Sequence, residues 1–79
     1  QYPDQIHQVL LAYATLVRAA GKANNEKAVD RYVEETLDYA QALIQRGRDA
    51  DYPRLSMHVA QILRLGGELE AADAWYPAG

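Results

Sequence analysis

Hydrophobic side chains recur every three or four positions along most of the chain, which is the spacing of an α-helix with one buried face. The first such segment predicts a helix from about Asp4 to Ala20, with Pro3 in its opening turn and Gly21 closing it in a left-handed conformation. Its hydrophobic positions are Ile6, Val9, Leu10, Tyr13, Leu16, Val17 and Ala20.

A second, longer helix is predicted after the polar link 22–25, which supplies a candidate for the N-cap. Its end is expected near Arg46 and Gly47, because Glu26 near the start and Arg46 near the end both complement the helix dipole. Its hydrophobic face comprises Val29, Tyr32, Val33, Thr36, Leu37, Ala40, Leu43 and Ile44.

The connector 48–51 leads to a third predicted helix, which Asp51 would cap and Pro53 would open. Gly66 and Gly67 should end this helix. Its hydrophobic positions are Leu55, Val59, Ile62, Leu63 and Leu65.

A short fourth helix is predicted from Glu68 to Trp75, because Pro77 would clash within a continuing helix and favours an extended backbone at Tyr76. No segment alternates with the period of two that a half-buried strand requires. The prediction is therefore one small all-α domain over residues 1–79, which is either the whole protein or a fragment of a larger one. It comprises two antiparallel helical hairpins, at about 4–46 and about 52–76.

Two stretches of the chain repeat each other 44 to 46 residues apart. The matched positions are Ala14 with Ala60, Val17 with Leu63, Arg18 with Arg64, Gly21 with Gly67, Ala28 with Ala72, and Tyr32 with Tyr76. Repeats of this length are typical of stacked helical hairpins, which present a surface to a partner. A generic four-helix bundle is the alternative.

The pattern of small residue, aliphatic residue, turn glycine, alanine and aromatic residue resembles the tetratricopeptide repeat. The second copy follows the spacing of that family at Ala60, Leu63, Gly67, Leu69, Ala72 and Tyr76, whereas the first needs two extra residues before Ala28. The resemblance implies that the first helix of each pair lines a groove for an extended peptide or a partner helix. Matching by position implies the groove residues Gln8, Leu11, Thr15, Arg18, Arg54, Met57, His58, Gln61 and Arg64.

The third helix carries hydrogen-bond donors along one face, at Arg54, His58, Gln61 and Arg64. We therefore expect a non-enzymatic protein-interaction module whose partner is an acidic or carboxylate-terminated peptide; the alternative is that these side chains form an ordinary solvated face. A self-associating subunit with a seam of Tyr39, Ala40, Ala42 and Leu43 is a second hypothesis. A regulatory bundle that binds a small ligand is a third.

Composition adds limits to these hypotheses. The chain has no cysteine and only 79 residues, so its core is small and its apolar flank is expected to be covered by another copy, a partner or further repeats. A net charge of −3 with scattered basic residues argues against nucleic-acid binding. No apolar run is long enough for a membrane span, so we expect a soluble protein; its compartment is open, with the cytoplasm favoured.

Catalytic and metal chemistry find little support in the sequence. His7 and His58 lack the partner residues of a helical metal motif, so no cofactor or metal is expected and hydrogen-bonded or exposed histidines are predicted. Ser56 has no suitably placed base. The acidic row at Glu26, Asp30, Glu34 and Asp38 is interpreted as a solvated stripe, or as a dock for a basic partner. Trp75 and Tyr76 are predicted to plug the core.

Overall fold

The computed structural model describes residues 2–76, and the side chains of residues 5–76. This part of the chain is all-α and contains four α-helices, as predicted; Pro77 lies outside it. The helices are α1 (Tyr2–Lys22), α2 (Glu26–Gln45), α3 (Leu55–Leu65) and α4 (Leu69–Trp75), with a 3-10 turn over Asp49–Asp51. Helices α1 and α2 form one antiparallel hairpin and α3 and α4 form the other.

Most of the predicted helix ends are confirmed by local backbone geometry. The side chain of Asn25 caps α2 by accepting a hydrogen bond from the N–H of Ala28 at 3.2 Å. Gly47 follows α2 with φ 71° and Gly67 follows α3 with φ 82°, and both lie in the left-handed region that glycine adopts without a steric penalty. Tyr76 is extended after α4, as expected for a residue that precedes proline.

Two predicted helix ends are wrong. Helix α1 continues through Gly21, and the left-handed residue of the following turn is Asn24, with φ 56°. Asparagine tolerates this conformation because its short polar side chain forms local hydrogen bonds. Asp51 does not cap α3: it lies in the 3-10 turn, where its carboxylate accepts a hydrogen bond from Nε of Arg48 at 3.3 Å, and Pro53 lies in the turn before α3. Arg54 occupies the N-cap position instead.

The core lies between the two hairpins and is almost entirely aliphatic. Its buried hydrophobic residues are Ile6, Leu10, Val17, Ala20, Val33, Ala40, Leu43, Leu55, Val59, Ala60, Ile62, Leu63 and Ala72. Thr36 is buried with them, and its hydroxyl donates to the carbonyl of Tyr32 at 2.8 Å, so its polar group is satisfied. Ala40 and Leu43 belong to this core, so these two residues of the predicted self-association seam are not available to a second copy, whereas Tyr39 and Ala42 are half-buried.

Three large aliphatic residues that the helical spacing assigns to buried faces are instead exposed. They are Leu16, Ile44 and Leu65, which are 39%, 43% and 43% exposed. Each lies at the edge of its helix's apolar stripe, where the two-hairpin structure provides no further element to cover it. No helix in residues 2–76 has the length and apolar character that crossing a bilayer demands.

The two hairpins approach each other closely where α3 ends. A Cβ atom added at Gly66 would lie 2.8 Å from Cγ2 of Val33 and 3.4 Å from Cγ1 of Val29, both on α2. The first distance is shorter than real Cβ contacts, and valine in a helix has little rotamer freedom with which to move away. Glycine at this position therefore permits the contact between α2 and α3.

Replacing Gly66 with Ala should destabilise the protein by about 1–3 kcal/mol, because the new methyl group overpacks the contact with Val33. Gly21→Ala is the matched control: a Cβ there meets no atom within 4 Å, and the residue is helical. That change should instead stabilise the protein by about 0.5–1 kcal/mol. Urea unfolding followed by circular dichroism measures both, and a shift of the same sign in the two variants would contradict the proposed role of Gly66.

Candidate functional site

Two adjoining surface cavities lie along the face where α1 packs beside α3, and together they form what we term the α1–α3 groove. The histidine cavity, of about 270 Å³, is lined by His7, Leu11, Tyr52, Arg54, Met57, His58 and Gln61. The arginine cavity, of about 570 Å³, is lined by Arg18, Gln61, Arg64, Leu65 and Tyr76. Because Gln61 lines both, the two cavities adjoin at this residue.

Burial of the hydrophobic face of each helix determines which side chains reach the groove. Ile62 and Leu63 are fully buried, so the neighbouring positions Gln61 and Arg64 are held on the exposed side of α3. The carbonyl of Arg54 accepts a hydrogen bond from the N–H of His58 at 2.9 Å, which places Arg54 in the helical register of α3 although it is only the cap residue. The donors predicted along α3 therefore share one face.

The groove is cationic although the chain is acidic overall. Its lining contains three arginines and two histidines, and no aspartate or glutamate among the described residues. The chain as a whole has a net charge of −3. The whole acidic row lies on α2, and each of its four members is exposed. Three of the eight lysine and arginine residues thus line the groove with no carboxylate among the described lining residues, and this local excess of positive charge favours an anionic partner there.

The two histidines, 51 positions apart in sequence, meet on either side of a tyrosine. The hydroxyl of Tyr52 lies 3.1 Å from Nδ1 of His7 and 3.1 Å from Nδ1 of His58. The three ring centroids are 5.8 to 6.2 Å apart. We refer to these residues as the histidine–tyrosine cluster. It confirms the expectation that the histidines are exposed or hydrogen-bonded, and it links α1 to the segment that precedes α3.

The protonation of His58 is affected by its surroundings. Partial burial lowers the pKa of His58 below its ordinary value of 6.5, and the nearby imidazole of His7 lowers this pKa further because a second positive charge there is unfavourable. His58 is therefore mainly neutral at pH 7, when its ring is able to accept or donate a hydrogen bond at Nδ1.

Seven of the nine predicted partner-binding residues line the groove: Leu11, Arg18, Arg54, Met57, His58, Gln61 and Arg64. Gln8 and Thr15 are exposed but are not among the described residues that line either cavity, and the Thr15 hydroxyl donates to the carbonyl of Leu11 at 3.0 Å. Since each residue turns a helix by about 100°, Gln8 and Thr15 fall about 40–60° beyond Leu11 and away from Arg18. Their part in binding remains a prediction.

Four groove residues were not predicted from the sequence. They differ in whether the helical spacing could have identified them. His7 and Leu65 lie on the same helical faces as Leu11 and Gln61, four residues apart, so the spacing alone could have included them. Tyr52 could not have been included, because its position depends on the 3-10 turn before α3.

The fourth unpredicted residue corrects the aromatic plug predicted at the end of the chain. Trp75 is half-buried against the core, as expected. Tyr76 is not a core residue: it is 37% exposed and lines the arginine cavity. The extended backbone after α4 directs the two adjacent aromatic residues to different environments.

Comparison of the chain with models of known protein families, with curated proteins and with solved structures gives no match. Among the described residues, no group of three or more His, Cys, Asp or Glu side chains is placed to hold a metal ion. The assignment of function therefore depends on the shape, charge and hydrogen bonding of the α1–α3 groove.

Acidification should reduce the stability of the protein through His58. The pKa of His58 is lower in the folded chain than its ordinary value of 6.5, so below that pH the unfolded chain takes up the proton first. The free energy of unfolding should be unaffected by His58 above pH 6.5, fall as the pH drops below it, and level off once the pH is below the folded pKa. Urea unfolding across this pH range should show a smaller loss of stability on acidification for His58→Gln than for the wild-type protein. An equal loss in both proteins would contradict the assignment.

Proposed function

We propose that the protein is a non-enzymatic interaction module that binds an extended acidic segment of a partner protein in the α1–α3 groove. The observation that carries this proposal is the composition of the groove, which is cationic and free of carboxylates among the described residues of a negatively charged chain. The side-by-side packing of α1 and α3 is the arrangement expected of stacked hairpins, which supports the tetratricopeptide-like interpretation of the repeat.

The dimensions of the groove favour a peptide over a small ligand. From His7 to Arg18 helix α1 rises by about 16 Å, at about 1.5 Å per residue. An extended peptide covers that distance with about five residues. Apolar side chains are interspersed with the cationic ones, with Leu11 and Met57 in the histidine cavity and Leu65 in the arginine cavity. The preferred segment would therefore combine carboxylates with aliphatic or aromatic residues.

The two arginines matched in the sequence repeat occupy the same cavity. Arg18 on α1 and Arg64 on α3 both line the arginine cavity, although they lie 46 positions apart. Guanidinium groups bind carboxylates through paired N–H donors, which gives orientation as well as affinity. This cavity would receive a carboxylate at one end of the peptide, and Arg54 would serve the other end.

Removing one groove arginine should weaken binding of an acidic peptide. With a fluorescein-labelled hexapeptide of alternating glutamate and leucine, we expect Arg64→Ala and Arg54→Ala each to raise Kd by about tenfold, which corresponds to about 1.4 kcal/mol. Arg46→Ala is the control: it removes the same charge from an exposed position outside the groove and should leave Kd within about twofold after allowance for screening. Fluorescence anisotropy at fixed ionic strength measures all three.

Equal weakening by all three substitutions would show a non-specific charge effect and would contradict a groove site. Unchanged binding in Arg54→Ala and Arg64→Ala would also contradict it. A second peptide of the same length and charge, with its leucines at helical spacing, tests whether the partner is instead an amphipathic helix. Tighter binding of the alternating peptide is expected from an extended mode of recognition.

A second candidate function, self-association, is favoured by the exposed apolar surface where α2 meets the end of α4. Ile44 is 43% exposed, and it lines a cavity of about 300 Å³ together with Gln41, Gln45 and the half-buried Trp75. This surface lies outside the predicted seam, of which Ala40 and Leu43 are in the core. We propose it as the contact that a second copy would use.

Self-association through this surface predicts that Ile44→Lys lowers the average mass at high protein concentration, because a charge would be buried in the contact. Leu16→Lys is the matched control, since Leu16 is similarly exposed, at 39%, on α1. Light scattering coupled to size-exclusion chromatography measures the mass across a range of concentrations. A wild-type chain that remains monomeric throughout would contradict this second candidate and leave the groove proposal unaffected.

A further inference from the structure

The hydrogen bonds of the histidine–tyrosine cluster restrict which nitrogen atoms carry its protons. The hydroxyl of Tyr52 has a single hydrogen, so it donates to Nδ1 of only one of the two imidazoles that it contacts at 3.1 Å. The other contact is a hydrogen bond only if that imidazole carries its proton on Nδ1 and donates to the phenol oxygen. When both rings are neutral, they must therefore be opposite tautomers, and one of them has an unprotonated Nε2.

This restriction determines how the cluster takes up protons. A proton added to the unprotonated Nε2 breaks neither hydrogen bond, because the new imidazolium still donates from Nδ1 and the hydroxyl still donates to the neutral ring. A second proton would place N–H groups of both rings against one oxygen and two positive charges on rings 5.8 Å apart. The hydrogen bonds of the cluster therefore accommodate one added proton but not a second.

The nitrogen that gains the proton is the one available to a ligand. Nδ1 of each ring is engaged with Tyr52, so Nε2 is the remaining hydrogen-bonding atom, and both rings line the histidine cavity. The charged and titratable groups around this cavity are His7 from α1, Tyr52 and Arg54 from the segment before α3, and His58 from α3. Asp51 lies in the 3-10 turn that precedes this segment, and its carboxylate is paired with Nε of Arg48 at 3.3 Å.

We propose that the histidine–tyrosine cluster is a proton-linked carboxylate site, in which one imidazolium Nε2–H, together with Arg54, receives a carboxylate of the bound protein segment. This inference rests on the proposed function and adds that binding takes up one proton. Because the protonated cluster binds the anion, affinity rises as the pH falls. In the range where one proton is taken up per ligand, Kd changes by about tenfold per pH unit.

The proton arrangement is testable without a ligand. Nitrogen-15 NMR of the imidazole rings at a pH above 7 should show one ring protonated at Nδ1 and the other at Nε2. Tyr52→Phe removes the shared hydroxyl and retains the ring, so both histidines should then show the mixture of tautomers typical of solvent-exposed imidazole. Identical tautomer populations for the two rings in the wild-type protein would overturn the proposal.

Proton uptake is measured by calorimetric titration of the glutamate–leucine hexapeptide in two buffers that differ in ionisation enthalpy. At a pH just above 7 the wild-type protein should take up close to one proton per peptide, whereas the double variant His7→Gln/His58→Gln, which retains no imidazole, should take up close to none. Arg64→Ala is the control, because it should weaken binding but retain the proton uptake. A peptide with an amidated C-terminus distinguishes a terminal carboxylate from a glutamate side chain as the group received.

The outcomes separate this inference from the proposed function. Peptide binding without proton uptake would overturn the inference and leave the groove intact as a binding site. If no peptide binds, the proposed function fails, and acetate is the remaining probe. Acetate should then raise the pKa of the cluster relative to chloride at equal ionic strength, and no difference between the two anions would overturn the carboxylate site as well.

Discussion

Helix α3 contacts each of the other three helices, and its burial determines the positions of both the core and the groove. Ile62 and Leu63 have no exposed surface, while Gln61 and Arg64 beside them are exposed. A rotation of α3 that brought the polar pair inward would bury a guanidinium without a partner, which costs several kcal/mol. Gly66 completes the constraint, since only the absence of a side chain lets the end of α3 approach α2 so closely. Core packing therefore determines which face of α3 lines the groove.

Basic and acidic side chains line different cavities on the surface, although the net charge of −3 does not show this separation. The groove is lined by arginine and histidine, whereas a neighbouring cavity of about 380 Å³ is lined by Glu26, Asp30 and Glu68 and by no basic residue among those described. Leu65 lines both this acidic cavity and the arginine cavity, so the two regions adjoin. An acidic partner would be attracted by the groove and repelled beside it, and such a pattern orients an approaching ligand and selects the binding face more than it adds affinity.

The fold could be predicted from the sequence to the extent that local patterns determine it. Helical periodicity identified all four helices, and Gly47 and Gly67 marked two of their ends because a left-handed residue is most easily glycine. The start of α3 was mispredicted because Asp51 belongs to a 3-10 turn, in which it pairs with Arg48, and α3 begins only after this turn. The hydrogen bond between Tyr52 and His7 was beyond reach, because it joins residues 45 positions apart that meet only once the hairpins pack.

The energetic role of the histidine–tyrosine cluster follows from comparing magnitudes. Each of its hydrogen bonds contributes a net of about 0.5–1.5 kcal/mol, and less where the groups are reached by water. Burying one side chain such as Leu10 or Ile62 contributes about 1.5–3 kcal/mol, and both of these residues are fully buried. The aliphatic core therefore holds the hairpins together, and the polar cluster at the edge of the groove is not needed for that purpose. Its hydrogen bonds orient the two imidazoles, so a proton or an anion can change their state without unfolding the protein.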